Sequence, residues 1–271
     1  MLRFRIKEKE VAFPIWPIIV IAIVLVVLFT KSDSVSYNEL YNEAVETIQR
    51  EDTEITVSKN VTDNIIRGVG YRIVNGSPDY FHVVNHFSYI IIGDALTITI
   101  SYNDYASDYE KNYERYNSML DSIIAQMDED FSDYEKVLWL HDYIVDNYSY
   151  DYSYNSYSSL SMLDEKTGIC SSYSLLFKGL LDKIGIKNKI VIGKTEGGYG
   201  PTYKLGLHCW NVVKIGMFWY HIDTTWDATG KGKYTYFMVS DSYMKKNYHY
   251  SWFFVDGKKC YCLFTKNESV K

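Results

Sequence analysis

The chain has 271 residues, and 34 acidic residues against 28 basic ones give it a net charge of −6 at neutral pH. This balance argues against a nucleic acid partner, because binding along a phosphate backbone requires a basic surface. Four cysteines are too few for a disulfide scaffold, so the fold must rest on a buried apolar core.

The N-terminal region carries an uncharged run at residues 11–30, VAFPIWPIIVIAIVLVVLFT. A helix of that length spans about 30 Å, the thickness of one bilayer core. Basic residues between Arg3 and Lys9 precede the run and favour a cytoplasmic tail at residues 1–10. The exit, Leu28–Lys31, has no small-residue cleavage site, so an uncleaved transmembrane helix is favoured over a cleaved signal peptide. We therefore predict a single-pass protein of the cell membrane, with its remaining residues extracytoplasmic.

We predict a leading α/β subdomain at residues 31–131 and a catalytic core at residues 132–271. Helical spacing is present from Tyr37 to Ile48 and again from Met119 to Met127. Strand patterns lie between these two helices, at residues 54–57, 71–74, 80–84 and 89–102.

A third helix is predicted to start at Ser132, because Ser132 and Glu135 form a capping-box pattern. His141 lies on its apolar side, which favours a packed or capping histidine over a catalytic one. The tyrosine- and serine-rich segment 147–161 follows. It fits either a loop that covers a cleft or a surface that stacks on sugar or wall polymer.

Cys170 opens the next helix. Apolar residues recur at spacings of three and four up to Ile184, Gly185 suits the C-terminal cap, and Gly168 breaks the chain before the cysteine. The free N–H groups and positive dipole end of a helix N-terminus favour a thiolate and can hold an oxyanion. A lone cysteine is more often an inert buried residue. A histidine and an aspartate elsewhere in the chain make a reactive cysteine the favoured interpretation of Cys170.

Those partners lie on a predicted hairpin, with strands at residues 208–215 and 217–225. A loop at Ile215-Gly216 would place His208 directly opposite Asp223. A loop at Gly216-Met217 would make the pair diagonal but keep both on one face. An odd-numbered loop would separate them, because strand side chains alternate between faces. A thiol nucleophile with an oriented base therefore requires an even loop.

These segments also resemble the transglutaminase-like superfamily, and most closely its bacterial membrane-anchored members. The resemblance covers residues 132–241 and rests on three runs: CSSYS from Cys170, HCWNVV from His208 and WYHIDTTWD from Trp219. It implies an α+β, papain-like fold in which the cysteine-bearing helix packs on an antiparallel sheet. It also implies that Cys170 is the nucleophile, His208 the base and Asp223 its orienting acid.

The chain departs from the usual pattern of that family at three places. Ser172 stands where a glycine is common, Cys209 replaces a frequent alanine, and Gly216-Met217 replaces a frequent Asp-Gly turn. None of these changes removes a catalytic group. Cys209 should point away from His208, so we expect a small core residue rather than a second nucleophile.

The predicted chemistry is acyl transfer on a protein or peptide amide bond, with a cell-wall-associated substrate as one option. Hydrolysis is preferred, transglutaminase cross-linking is the alternative, and a non-catalytic interaction module on the same fold is the contrasting hypothesis. No cofactor or metal is predicted, because Cys260, Cys262 and His249 lack a fourth ligand at suitable spacing. The candidates for substrate contact or a second oxyanion donor are Tyr150, Tyr157, Trp210 and Trp226.

Overall fold

The computed structural model describes residues 2–6, 9–13, 34–50, 52–75, 84–103, 106–196, 206–230, 232–255 and 259–266. Strands β1 (Leu2–Ile6) and β2 (Lys9–Phe13) form an antiparallel pair. The predicted anchor at residues 11–30 lies outside these ranges, except that residues 11–13 belong to β2 rather than to a helix. Across the described ranges, every helix is too short or too polar to cross a bilayer.

The leading part of the chain packs two helices against a small antiparallel sheet. Its elements are α1 (Tyr37–Gln49), β3 (Glu54–Val57), α2 (Asp63–Asn75), β4 (Val84–Ile92) and β5 (Ala95–Tyr102). The strand order is β3-β5-β4, and the core includes Leu40, Ile66 and Ile98.

The first helix and first strand of this part were predicted correctly, and two other predictions were wrong. Residues 71–74 form the last turn of α2 rather than a strand, because Ile66, Val69 and Ile73 continue a helical spacing of three and four into one core. The single strand predicted at 89–102 is a hairpin, since Gly93 turns the chain with φ +61°.

Two longer helices follow a short 3₁₀ turn at Ala106–Asp108: α3 (Tyr109–Ile124) and α4 (Asp133–Asn147). The capping box at the start of α4 is confirmed, because Ser132 and Glu135 exchange both of its hydrogen bonds. Tyr116, Leu120 and Ile123 of α3 pack into the second core, ahead of the predicted boundary at residue 131. The division into domains stays a prediction.

The second core surrounds a four-stranded sheet. Short elements lead into it: β6 (Ser149–Tyr150), α5 (Ser159–Glu165) and β7 (Thr167–Gly168). Helix α6 (Cys170–Lys183) then packs on the sheet formed by β8 (Asn188–Thr195), β9 (Gly206–Ile215), β10 (Phe218–Ile222) and β11 (His249–Phe254). The order is β10-β9-β8-β11, with every pairing antiparallel. The predicted α+β arrangement of a cysteine-bearing helix on an antiparallel sheet is thus present.

The sheet is covered on both faces. Ile190, Ile192 and Cys209 pack with Leu175 of α6 on one side. Val191, Trp210 and Val212 pack on the other side against a C-terminal layer that includes Trp226 of helix α7 (Thr224–Thr229) and Met244 of helix α8 (Asp241–Lys246). Polar side chains near the start of β9 are consequently shielded from solvent, and the candidate site lies there.

Candidate functional site

Cys170 is the first residue of α6, as predicted, and it is partly exposed. The N-cap residue, Ile169, makes no side-chain hydrogen bond to the helix start. The N–H groups of the first turn are therefore not occupied by a side-chain cap, and they remain able to bind a negatively charged atom.

The hairpin has the even loop that a Cys-His-Asp site requires. Ile215 pairs with Phe218, so the loop is Gly216-Met217 rather than Ile215-Gly216. Of the two loop residues, only Gly216 has a positive φ, at +59°, which is the pattern of a type II′ turn. His208 and Asp223 are consequently diagonal rather than directly opposite, and His208 Nε2 lies 2.7 Å from Asp223 Oδ2.

Asp223 is completely buried and acts as the N-cap of α7. Its Oδ1 accepts a hydrogen bond from the Trp226 N–H at 3.0 Å, and its Oδ2 faces Nε2 of both His208 and His249. Burial alone would raise the pKa of this carboxyl. The charge and hydrogen bond of His208, together with the contact from His249, outweigh burial and hold the pKa well below its usual range. Asp223 is therefore a carboxylate.

His208 lies between Asp223 and the Cys170 thiol. Burial lowers the pKa of the imidazole, but the charge and hydrogen bond of Asp223 and the interaction with Cys170 raise it to about 10. Because Asp223 occupies Nε2, the nitrogen left for the thiol is Nδ1. This arrangement favours an imidazolium beside a sulfur atom, which is the electrostatic requirement for a reactive thiolate.

The four candidates for substrate contact differ in their surroundings. Tyr150 is close enough to Cys170 for the thiol's charge to raise its pKa, in addition to the larger effect of burial. Tyr157 is half-exposed, and its carbonyl accepts a hydrogen bond from Ser171 Oγ at 3.2 Å. Trp210 is buried and donates its indole N–H to His221 Nδ1 at 2.9 Å, so that N–H is not available to an oxyanion. The Trp226 ring packs on His208 at 5.4 Å between ring centroids.

The three departures from the family pattern have simple structural roles. Ser172 is buried and donates to the Ser156 carbonyl at 2.6 Å, which ties the tyrosine-rich segment to α6. Cys209 is buried beside Leu175, and burial raises the pKa of its thiol well above the usual value. The Gly216-Met217 loop has two residues, and this even number keeps His208 and Asp223 on one face of the hairpin.

His141 is also buried, which agrees with its prediction as a packed residue. Its Nδ1 lies 2.9 Å from Asp142 Oδ1, and its Nε2 lies 3.1 Å from Asp227 Oδ2. Burial lowers the pKa of His141, but these two carboxylates raise it by more. The pair His141–Asp227 thus joins α4 to α7, the helix that Asp223 caps.

Among the residues that the structure describes, two groups of side chains have the composition of metal ligands: His208, Asp223 and His249, and separately His221, Asp241 and Cys262. His249 lies with Asp223, whereas Cys262 lies with His221 and Asp241. In the second group, Trp210 donates to His221 Nδ1, so the single ring proton of neutral His221 is on Nε2, which faces Asp241 at 2.8 Å. A protonated nitrogen has no lone pair for a metal ion.

His249 is the residue at this site that sequence reasoning missed. It is fully buried, and its Nε2 lies 3.1 Å from Asp223 Oδ2, although the two residues are 26 positions apart. No local spacing in the sequence connects them. The one available signal was its residue type on a strand beyond the hairpin.

A comparison with protein families gives a match to part of the chain. Residues 121–224 match the model of the transglutaminase-like superfamily, a segment that contains Cys170, His208 and Asp223. No curated protein matches the chain significantly.

Solved structures similar to this chain include a TGase, a candidate cysteine protease from Cytophaga hutchinsonii and a candidate protease from Parabacteroides distasonis. The TGase is 15% identical with a TM-score of 0.35, and the match covers 73% of this chain and 56% of the other. The Cytophaga protein is 14% identical with a TM-score of 0.35, and the match covers 52% of this chain and 61% of the other. The Parabacteroides protein is 11% identical with a TM-score of 0.37, and the match covers 67% of this chain and 41% of the other. This chain therefore spans less than two thirds of each of them. The segment 121–224 of this chain is similar to the transglutaminase-like superfamily.

Proposed function

We propose that this chain is a thiol enzyme that transfers acyl groups from protein or peptide amide bonds, with Cys170 as nucleophile, His208 as base and Asp223 as orienting acid. One observation carries the proposal. The buried His208 ring is held at Nε2 by Asp223 and interacts with the Cys170 thiol. The match of residues 121–224 to a superfamily whose members are typically cysteine enzymes supports it.

The reaction follows from these positions. His208 takes the thiol proton, and its Nε2–H donates to Asp223. The thiolate then forms a bond to the carbonyl carbon, and the oxyanion accepts hydrogen bonds from the Cys170 N–H and from the Tyr150 hydroxyl. As the C–N bond breaks, His208 returns its proton to the leaving amine. A thioester on Cys170 remains.

Hydrolysis of that thioester is the preferred second step, because Cys170 is partly exposed and water can reach it. Transfer to a lysine amine, as in glutamine cross-linking, is the alternative, since the same three side chains serve both reactions. A non-catalytic interaction module is disfavoured, because a site without catalysis has no reason to keep all three residues.

The proposed location is the outer side of the cell membrane, with a protein or peptide substrate there that is associated with the cell wall. This part rests on the sequence pattern of residues 1–30, in which basic residues precede an uncharged run.

Alkylation of the full-length chain by iodoacetamide near neutral pH tests the nucleophile. We expect rapid labelling of the Cys170 peptide, measured by mass spectrometry, and a large loss of rate in His208→Ala. His221→Ala is the matched control, because His221 is a buried histidine on the same hairpin that contacts Asp241 instead. Slow labelling that is indifferent to His208 would favour the interaction module.

A glutamine-containing peptide incubated with a labelled primary amine separates the two reactions. A free acid or a cleaved peptide indicates hydrolysis, and an amine adduct indicates transamidation. Cys170→Ala should form neither product. Equal product formation by Cys170→Ala would remove the thiol from the mechanism.

A further inference from the structure

One buried carboxylate, that of Asp151, organises the turn that precedes the cysteine-bearing helix. Its Oδ1 accepts the backbone N–H of Ser153 at 2.8 Å and also the Ser153 hydroxyl. Its Oδ2 accepts the backbone N–H groups of Asn155 at 2.7 Å and Ser156 at 2.8 Å. Burial alone would raise the pKa of Asp151, but these hydrogen bonds lower it to about 2. Both oxygens therefore bind the turn as a carboxylate.

The backbone inside this turn has a conformation that is unfavourable for a residue with a side chain. Tyr154 has φ +57°, in the left-handed region where residues other than glycine are uncommon. The N–H groups on either side of it, those of Ser153 and Asn155, are the ones that bind the Asp151 carboxylate. The shape of the turn consequently depends on Asp151.

The turn is hydrogen-bonded to the residues just before Cys170. The Asp151 N–H donates to the Gly168 carbonyl oxygen at 3.0 Å, beside the short parallel pairing of β6 with β7. The Ser156 carbonyl oxygen accepts the N–H of Ile169, the N-cap of α6, at 3.2 Å. The Cys170 N–H, one of the two proposed oxyanion donors, thus follows directly on a residue that the turn holds.

The turn is also hydrogen-bonded to the residues just after Cys170. Ser172 donates its hydroxyl to the same Ser156 carbonyl oxygen at 2.6 Å, and Ser171 donates its own to the Tyr157 carbonyl oxygen at 3.2 Å. One segment therefore holds the start of α6 on both sides of the nucleophile.

The second proposed oxyanion donor, Tyr150, lies immediately before Asp151. Its ring packs edge to face on the rings of Tyr152, at 5.0 Å between centroids, and Tyr154, at 6.3 Å. Because Tyr154 is the residue with the left-handed backbone, a change in the turn also moves the surroundings of the Tyr150 hydroxyl.

We propose that Asp151 is a positioning residue that places the two oxyanion donors, the Cys170 N–H and the Tyr150 hydroxyl, around the carbonyl oxygen of the acyl donor. The inference rests on the proposed thiol chemistry. Asp151 acts through the turn and takes no part in the bond changes. Donors to an oxyanion work at about 3 Å, so a small displacement of either one weakens binding of the transition state.

Two reactions of the same sulfur separate the oxyanion donors from formation of the thiolate. Iodoacetamide alkylates the thiolate by displacement of iodide, and no oxyanion forms. With p-nitrophenyl acetate, the sulfur bonds to the acetyl carbon, a tetrahedral oxyanion forms, and p-nitrophenolate then leaves. Each reagent is added to the full-length chain, and the modified Cys170 peptide is measured by mass spectrometry. The readout is the ratio of the acylation rate to the alkylation rate.

Asp151→Ala should lower this ratio by about 10- to 100-fold, since loss of one oxyanion donor slows acyl transfer to an amide by about 100-fold or more and an activated ester depends on it less. The alkylation rate itself should stay within about 3-fold of wild type, because the thiolate depends on His208.

Asp182→Asn is the matched control, because Asp182 accepts hydrogen bonds from Lys178 and Asn188 near the other end of α6. Its ratio should equal that of wild type. Asp151→Asn covers the case in which Asp151→Ala does not fold. Asparagine keeps the shape and one accepting oxygen, so its ratio should fall in the same direction by less.

An unchanged ratio in a folded Asp151 variant would overturn the proposal. Equal losses of both reactions would also overturn it, because a general disturbance of α6 has that effect. The two proposals fail separately. Labelling of Cys170 that ignores His208 ends the thiol mechanism, whereas His208-dependent labelling with an unchanged ratio ends only the role of Asp151.

Discussion

The substitution Asp223→Asn tests the orientation of His208 with little change of shape. An asparagine oxygen can still accept from the Trp226 N–H and cap α7, because asparagine is as good an N-cap as aspartate. Its amide nitrogen then faces His208 Nε2, and that nitrogen must accept. The single proton of His208 moves to Nδ1, towards the Cys170 thiol, so the ring can no longer take the thiol proton.

The size of the effect follows from the ionised fraction of the sulfur. In the wild type, His208 with a pKa of about 10 is an imidazolium near neutral pH, and the proposed mechanism pairs it with a thiolate at Cys170. An unassisted thiol with a pKa of about 8.5 is only about 3% ionised at pH 7, so alkylation of Cys170 should slow about 30-fold. The deficit should shrink to about 2-fold near pH 8.5, where half of an ordinary thiol is ionised. The assay is the second-order rate constant for iodoacetamide, read from the Cys170 peptide.

Asp241→Asn is the matched control. Asp241 accepts from a buried histidine, His221, in the same C-terminal layer but does not face Cys170. Its alkylation rate should stay within about 2-fold of wild type, as expected for a charge that acts at a distance on a screened site. A wild-type rate in Asp223→Asn would refute the account of His208 orientation, and equal losses in both variants would point to a general disturbance of the layer.

Three further predictions concern stability and the second buried cysteine. Gly193→Ala should lower the free energy of unfolding by about 1–3 kcal/mol in urea titrations. The reason is that an added Cβ would lie 2.5 Å from both the Ser251 carbonyl oxygen and the Trp210 ring. The control is Lys194→Ala, which should have little effect because Lys194 is exposed. The raised pKa of His141 means that protonation of His141 stabilises the folded state. This contribution is complete below the unfolded pKa of about 6.5 and is lost as pH rises through the folded pKa. His141→Gln should therefore flatten the fall of melting temperature above about pH 6.5, and an unchanged slope would contradict the assignment. Cys209 should resist alkylation in the native chain and react only in denaturant, since burial raises the pKa of its thiol; native labelling at a rate similar to Cys170 would show that its packing is wrong.

Short-range patterns predicted the parts of the site that depend on neighbouring residues. The apolar spacing after Cys170 located the start of α6, and the Ser132–Glu135 pair located the start of α4. The alternation of strand side chains limited His208 and Asp223 to an even loop, although the loop itself lies one residue further along than first supposed. Residues 71–74 were misassigned as a strand because a four-residue apolar pattern is too short to distinguish the two periodicities.

The sequence by itself predicted the cysteine-bearing helix, the sheet hairpin and the resemblance to the superfamily, because each of these leaves a periodic or contiguous pattern in the chain. The tertiary structure alone decided that Asp223 is shared by His208 and His249, and that His141 joins Asp227 across 86 positions. Such contacts form when separate layers pack together, and their protonation depends on burial and on which acceptors face each ring nitrogen. No spacing along the chain encodes either quantity.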